Sequence, residues 1–162
     1  MTSTSPNILY IMTDQQRFDT IAALGNSLIY TPNLDRLVER GISFTNAYST
    51  CPVCIPARYT VRTGCEAPTT AIFRNERAQP AADQAESMIG RCGPYLAQRM
   101  RERGYRTFGV GKFHSNPWDE DLGYDVHLHS EELYRPDQRE QDSYAKWLAD
   151  NHPEYDFQEG LM

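Results

Sequence analysis

The amino-acid sequence predicts an α/β fold, a largely parallel sheet flanked by helices, and three features carry the prediction. The segment Asn7 to Met12 is a continuous apolar run with β-branched and aromatic members, the pattern of a strand covered on both faces. Two segments have helical periodicity with clear start and stop residues, and the second runs directly into another apolar stretch, Tyr105 to Val110. At about 150 residues per domain, the 162 residues make room for one domain.

The first strand ends at Thr13-Asp14-Gln15-Gln16-Arg17. Thr31-Pro32-Asn33 then opens a helix, with Pro suited to its first turn, Leu34, Leu37 and Val38 as its apolar stripe and Gly41 as its stop. Ile42 to Tyr48 alternates well enough for a second strand. Ser49 to Pro56 is a turn, and Pro56 to Thr63 a short helix closed by Gly64. Residues 65 to 90 lack clean periodicity. Pro94 opens the next helix, which carries Leu96 and Met100 and ends at Gly104, and Tyr105 to Val110 follows as a strand. Ser115 to Pro136 reads as an acidic surface excursion, and Asp142 to Asp150 as a last amphipathic helix carrying Trp147 and Leu148.

A net charge of −6 argues against a general nucleic-acid binder, since phosphate neutralisation needs clustered Lys and Arg. The acidic residues concentrate beyond Ser115, leaving the first two thirds slightly basic and suited to an anionic substrate. The run Ile8 to Met12 is far shorter than the roughly twenty residues of a membrane span, so no membrane association is predicted. Met1 to Asn7 has no basic start of a secretory signal, which predicts a cytoplasmic protein, or a periplasmic one where a signal has been removed. Four cysteines, Cys51, Cys54, Cys65 and Cys92, are too sparse for a disulfide scaffold and read as reduced thiols.

Ligands of open α/β sheets bind at the carboxyl ends of the strands. The first strand runs out into Asp14-Gln15, oxygen donors for a hard cation, and Tyr105 to Val110 runs out into Gly111-Lys112-Phe113-His114. Between them, Cys54-Ile55-Pro56-Ala57-Arg58 sets a thiol at a helix start, where free backbone N–H groups and the helix dipole favour anions. Arg58 lies about one turn on, within reach of Cys54.

Cys54-x-Pro56-x-Arg58 followed by Thr63-Gly64 resembles the signature of the type I sulfatases of the alkaline phosphatase superfamily, in which the Cys is oxidised to formylglycine. Asp14-Gln15-Gln16 is similar to the family's metal-binding Asp-Asp-Gln, Gly111-Lys112-Phe113-His114 to its Gly-Lys-x-His, and Thr31 to Leu37 to the helix between first strand and nucleophile. The resemblance implies that residues 1–162 are the N-terminal part of a catalytic domain, with an incomplete sheet, and that 115–162 are an acidic excursion and terminal helix. It implies a sulfuric ester hydrolase in which an aldehyde made from Cys54, hydrated to a diol, attacks sulfur and releases sulfate by elimination. Asp14, Gln15 and Cys54 would contact calcium, with magnesium the alternative ion. Arg58 would steady the diol, Lys112 bind the sulfate oxygens, and His114 orient and deprotonate the diol. The implied partners are a small sulfated substrate (sugar, aryl or alkyl), the formylglycine-generating enzyme, and the remainder of a sulfatase chain or a second chain. Isolated, the chain is expected to be inactive.

Gln15 stands where most members carry a second Asp, as in relatives that cleave phosphonate monoesters and phosphodiesters, which makes a phosphoryl ester the alternative substrate. Lys112 and His114 favour sulfate. A second class, a thiol oxidoreductase using Cys51-Pro52-Val53-Cys54, is disfavoured because Pro56 restarts the helix two residues later. A non-catalytic fragment is the third alternative. Gly109-Val110-Gly111-Lys112 is no phosphate loop, with Arg106 and Phe113 at key positions. His127-Leu128-His129 puts two imidazoles on one face of a strand and is expected to be exposed.

Overall fold

A hydrophobic run becomes a strand only when a neighbour takes its backbone hydrogen bonds, and this separates the two ends of the chain. The computed structural model describes residues 5–75, 88–115, 120–131 and 141–155, and divides into two compact units, Met1–Tyr48 and Ser49–Met162.

In the first unit, helix α1 (Pro32–Arg40) has the predicted bounds, with the Gly41 N–H closing it on Leu37 O. Thr31 Oγ1 donates to Asp35 Oδ1 at 2.8 Å and accepts from Ala22 N at 2.8 Å, while Ala23 N donates to the same Asp35 oxygen at 2.9 Å. Those bonds tie α1 to a 3-10 turn, Ala22–Leu24. The expected strands over Asn7 to Met12 and Ile42 to Tyr48 are absent: both stretches are exposed and unpaired as strands, with Leu9 84% exposed and Ile42 84%. Their composition still favours strands. Among the described residues, no neighbour supplies the ladder bonds that would make them so.

In the second unit, α2 (Cys54–Thr63), α3 (Ala67–Thr70), α4 (Met88–Cys92) and α5 (Leu96–Glu102) precede strand β1 (Phe108–Gly111). Strand β2 (Val126–His129) pairs parallel with β1, in the register Phe108 to Val126 through Gly111 to His129, and α6 (Ser143–Asn151) follows. Helices around a parallel pair bear out the α/β class. The two-stranded sheet is an incomplete version of it. Thr107 and Asp125 fix the register one step before the strands: Thr107 N and Oγ1 both donate to Asp125 Oδ2, at 2.7 and 3.0 Å.

The expected excursion from Ser115 is corrected in part. It contains β2 and a core residue, Leu122, only 1% exposed. That residue joins Ile55, Tyr59, Tyr95 and Phe113 in the core, with Ile72, Met88 and Tyr124 packed around them. The Tyr59 and Tyr95 hydroxyls donate to opposite oxygens of Glu120, so each buried phenol is satisfied by one carboxylate. Burial, then the neighbouring Glu120 carboxylate, push the Tyr95 phenol well above its ordinary range. Gly109 is required by close packing, since a Cβ there would lie 2.8 Å from Phe113 Cζ. The predicted last helix is present as α6, with Asp142 as its cap: Oδ1 accepts from Tyr144 N and Ala145 N, both at 2.9 Å.

Candidate active site

Cys54, Arg58, Lys112 and His114 all belong to the second unit. Helix α2 starts at Cys54 itself, with Val53 as the N-cap, so the thiol sits in the first turn and Pro56 is the third helical residue. The expected row of free amides at this end is not there. Ile55 N donates to Asn75 Oδ1 at 2.9 Å, Pro56 has no N–H, and Ala57 N bonds Val53 O. What remains at this end to favour an anion is the helix dipole. Cys54 is half-buried, as are the other thiols, and no disulfide joins any of the four cysteines. Cys92 is pushed up to about 11 by burial and by a hydrogen bond with the Cys65 thiol, which keeps it from being a thiolate at neutral pH.

The loop Lys112-Phe113-His114 leaves the carboxyl end of β1, where the parallel-sheet rule puts ligand-binding residues. Arg58, 7% exposed, spans from α2 to this loop and donates from Nη1 to the Lys112 carbonyl. Arg62, one turn further along the same helix face and equally buried, donates to the next carbonyl, that of Phe113. Its guanidinium lies over the Tyr59 and Phe113 rings, 5.5 and 5.7 Å from their centroids. Desolvation is the main cause holding the Arg62 pKa below its usual value.

Glu131 closes the loop from the other side. Its Oε1 accepts from Phe113 N at 2.7 Å and His114 N at 2.9 Å, and its Oε2 from His114 N at 3.0 Å. Glu131 N in turn donates to Asp142 Oδ2 at 2.7 Å, so the cap of α6 also anchors Glu131. His114 adopts φ +49°, a left-handed conformation that costs a side-chain-bearing residue about 1 kcal/mol or more. These bonds hold it there.

Arg62 and Glu131 were missed by sequence reasoning, and Asp142 was read only as the start of the last helix. The first is legible as the i+4 partner of Arg58. Glu131 lies just past the strand that His127-Leu128-His129 suggested, where the strand-end rule could have flagged it. His127 and His129 do share a strand face, with ring centroids 5.4 Å apart, but both are half-buried, which corrects the expectation of surface histidines. His127 packs edge-on against Phe113 at 4.2 Å, and burial, then His129, lower its pKa.

Asp14 and Gln15 lie in the first unit, both exposed, with Gln15 at φ +53°. A carboxylate followed by a side-chain carbonyl is a donor pair that suits a hard cation such as calcium. The Cys54 thiol as it stands is a soft donor and does not suit it; an oxygen in place of that sulfur would. Among the described residues, no three His, Cys, Asp or Glu side chains gather as a metal site.

The sulfatase family model matches residues 6–158. The chain belongs to the sulfatase family. Among its relatives are an ulvan-active sulfatase of Formosa agariphila, 33% identical over 146 residues that cover 90% of this chain and 24% of the relative. An arylsulfatase of Clostridium perfringens is 31% identical, over 90% of this chain and 30% of the relative. A choline-sulfatase of Rhizobium meliloti is 30% identical, over 93% of this chain and 28% of the relative. This sulfatase chain thus spans about a quarter of the length of the relatives it matches.

Proposed function

We propose that the chain is the N-terminal part of a sulfatase catalytic domain whose complete form hydrolyses a sulfate monoester, with Cys54 as the precursor of the nucleophile. The hydrogen bond from Arg58 to the Lys112 carbonyl carries this reading, because it ties the Cys-x-Pro-x-Arg helix to the Lys-x-His loop within one unit.

Converted to formylglycine by its generating enzyme, Cys54 would supply a hydrated aldehyde whose oxygen can attack sulfur. Asp14 and Gln15 would hold calcium, which polarises a sulfate oxygen. The rest falls to this chain's side chains. Arg58, pinned by its bond to the loop, presents a fixed positive charge one turn from residue 54. Lys112 neutralises charge on the sulfate oxygens as the ester bond breaks, and His114 takes the proton from the nucleophile's hydroxyl. The relatives' names speak of ulvan, of aryl sulfates and of choline sulfate, which supports a sulfated organic alcohol as the substrate class. Gln15 in place of a carboxylate supports a second reading, a phosphoryl ester, because the cation site carries one charge fewer.

The test is turnover of nitrophenyl sulfate against the phosphodiester bis-nitrophenyl phosphate, with excess calcium, by a complete enzyme containing this chain. The sulfate ester should be preferred and Lys112→Ala should abolish the preference; the isolated 162-residue chain should turn over neither. Preference for the phosphate ester would favour the second reading.

A further inference from the structure

The two peptide groups linking Lys112, Phe113 and His114 are each held at both ends. In the first, Arg58 donates to the Lys112 carbonyl while Glu131 accepts from the Phe113 N–H. In the second, Arg62 donates to the Phe113 carbonyl while Glu131 accepts from the His114 N–H. A carboxylate that takes two successive amides fixes the orientation of both peptide planes. With the planes fixed, so is the direction in which the Lys112 and His114 side chains leave the backbone. The need for such fixing is local and visible, since His114 holds φ +49° without the freedom of a glycine.

Glu131 is suited to this task by its own surroundings. It is 6% exposed, it lies just beyond β2 after Ser130, and its backbone N–H is held by Asp142. A buried carboxylate is costly unless its oxygens are satisfied, and the loop amides satisfy them. The carboxylate and the loop therefore depend on each other.

We infer that Glu131 is the positioning residue of the Lys112–His114 pair, setting the loop geometry through two backbone amides while touching no substrate. The inference rests on the sulfatase reading for its consequence in turnover, and on the loop geometry alone for its consequence in hydrogen exchange.

Both consequences can be read in a complete enzyme containing this chain. Glu131→Ala should lower kcat on a sulfate ester by about 100-fold, the scale of a misplaced reacting group, with KM much less affected. Exchange protection at the Phe113 and His114 amides should be lost while that of the α2 amides is kept. Glu131→Gln, whose carbonyl oxygen can take the place of Oε1, should restore most of both. If Glu131→Ala does not fold, the Gln variant decides: retained protection at both amides with near-normal kcat supports the inference, and lost protection with unchanged kcat overturns it. A folded Ala variant with normal kcat and normal protection also overturns it. If the unsubstituted enzyme cleaves no sulfate ester yet Glu131→Ala still deprotects the two amides, the sulfatase reading fails and the positioning of the loop stands.

Discussion

Arg58 in the first half of the chain donates a hydrogen bond to the backbone carbonyl of Lys112, fifty-four residues further on. The bond joins the middle of α2 to the end of β1, where an α/β fold gathers its ligand-binding residues. Arg62 repeats the contact one residue along, at Phe113. Two guanidiniums on one helix face thus read off successive carbonyls of one loop. This makes the loop's shape a property of α2 as much as of β1.

The carboxylate of Glu120 is shared between the hydroxyls of Tyr59 and Tyr95, the first fully buried and the second 2% exposed. Removing one hydroxyl leaves a carboxylate oxygen short of a donor, so Tyr95→Phe should destabilise by about 1–3 kcal/mol. Tyr59→Phe should behave alike, and the two effects should be non-additive because they share a partner. Urea unfolding of the single and double variants checks both statements.

The half-buried His127 gives the fold a dependence on acid. Its pKa is lowered in the folded state, so below about 6.5, the ordinary histidine value, the unfolded chain binds a proton that the folded chain refuses. Stability is then lost as pH falls from that value through the folded pKa, and is fully present above it. His127→Phe, which keeps a ring against Phe113, should flatten the slope between pH 7 and 5 in unfolding measurements. An unchanged slope would show that another group carries it.

The proposed cation site offers a test through charge. Gln15 contributes a neutral carbonyl, so Gln15→Asp should tighten calcium binding in a complete enzyme containing this chain, since an added anion raises affinity for a hard cation. Calorimetry reads the change; equal affinity would place Gln15 away from the ion.

Much of this was visible before any coordinates. Helix α1 was legible because Thr31-Pro32 and Gly41 are punctuation that acts locally, and α6 because Asp142 caps its own helix. That Lys112 and His114 follow a strand end was legible, because the apolar stretch Tyr105 to Val110 runs out into them. The strands over Asn7 to Met12 and Ile42 to Tyr48 failed for a physical reason: apolar composition states a preference, whereas pairing needs a partner. The roles of Glu131 and Arg62 were hidden differently. Each acts on the backbone of residues far along the chain, and no local pattern of sequence marks a carboxylate as the acceptor for amides eighteen and seventeen residues before it.

The central claim is that Cys54 is the residue on which the chemistry is built. Only Cys54 among the four cysteines has Pro two residues and Arg four residues downstream, and Arg58 is held in place beside the Lys112–His114 loop. The chain should therefore be produced in a host that carries the formylglycine-generating enzyme, digested, and the peptide spanning Cys51 and Cys54 sequenced by mass spectrometry. The account predicts an aldehyde in place of the thiol at Cys54 and an unmodified thiol at Cys51. An aldehyde at Cys51, or two intact thiols under conditions that convert a control sulfatase, would contradict it.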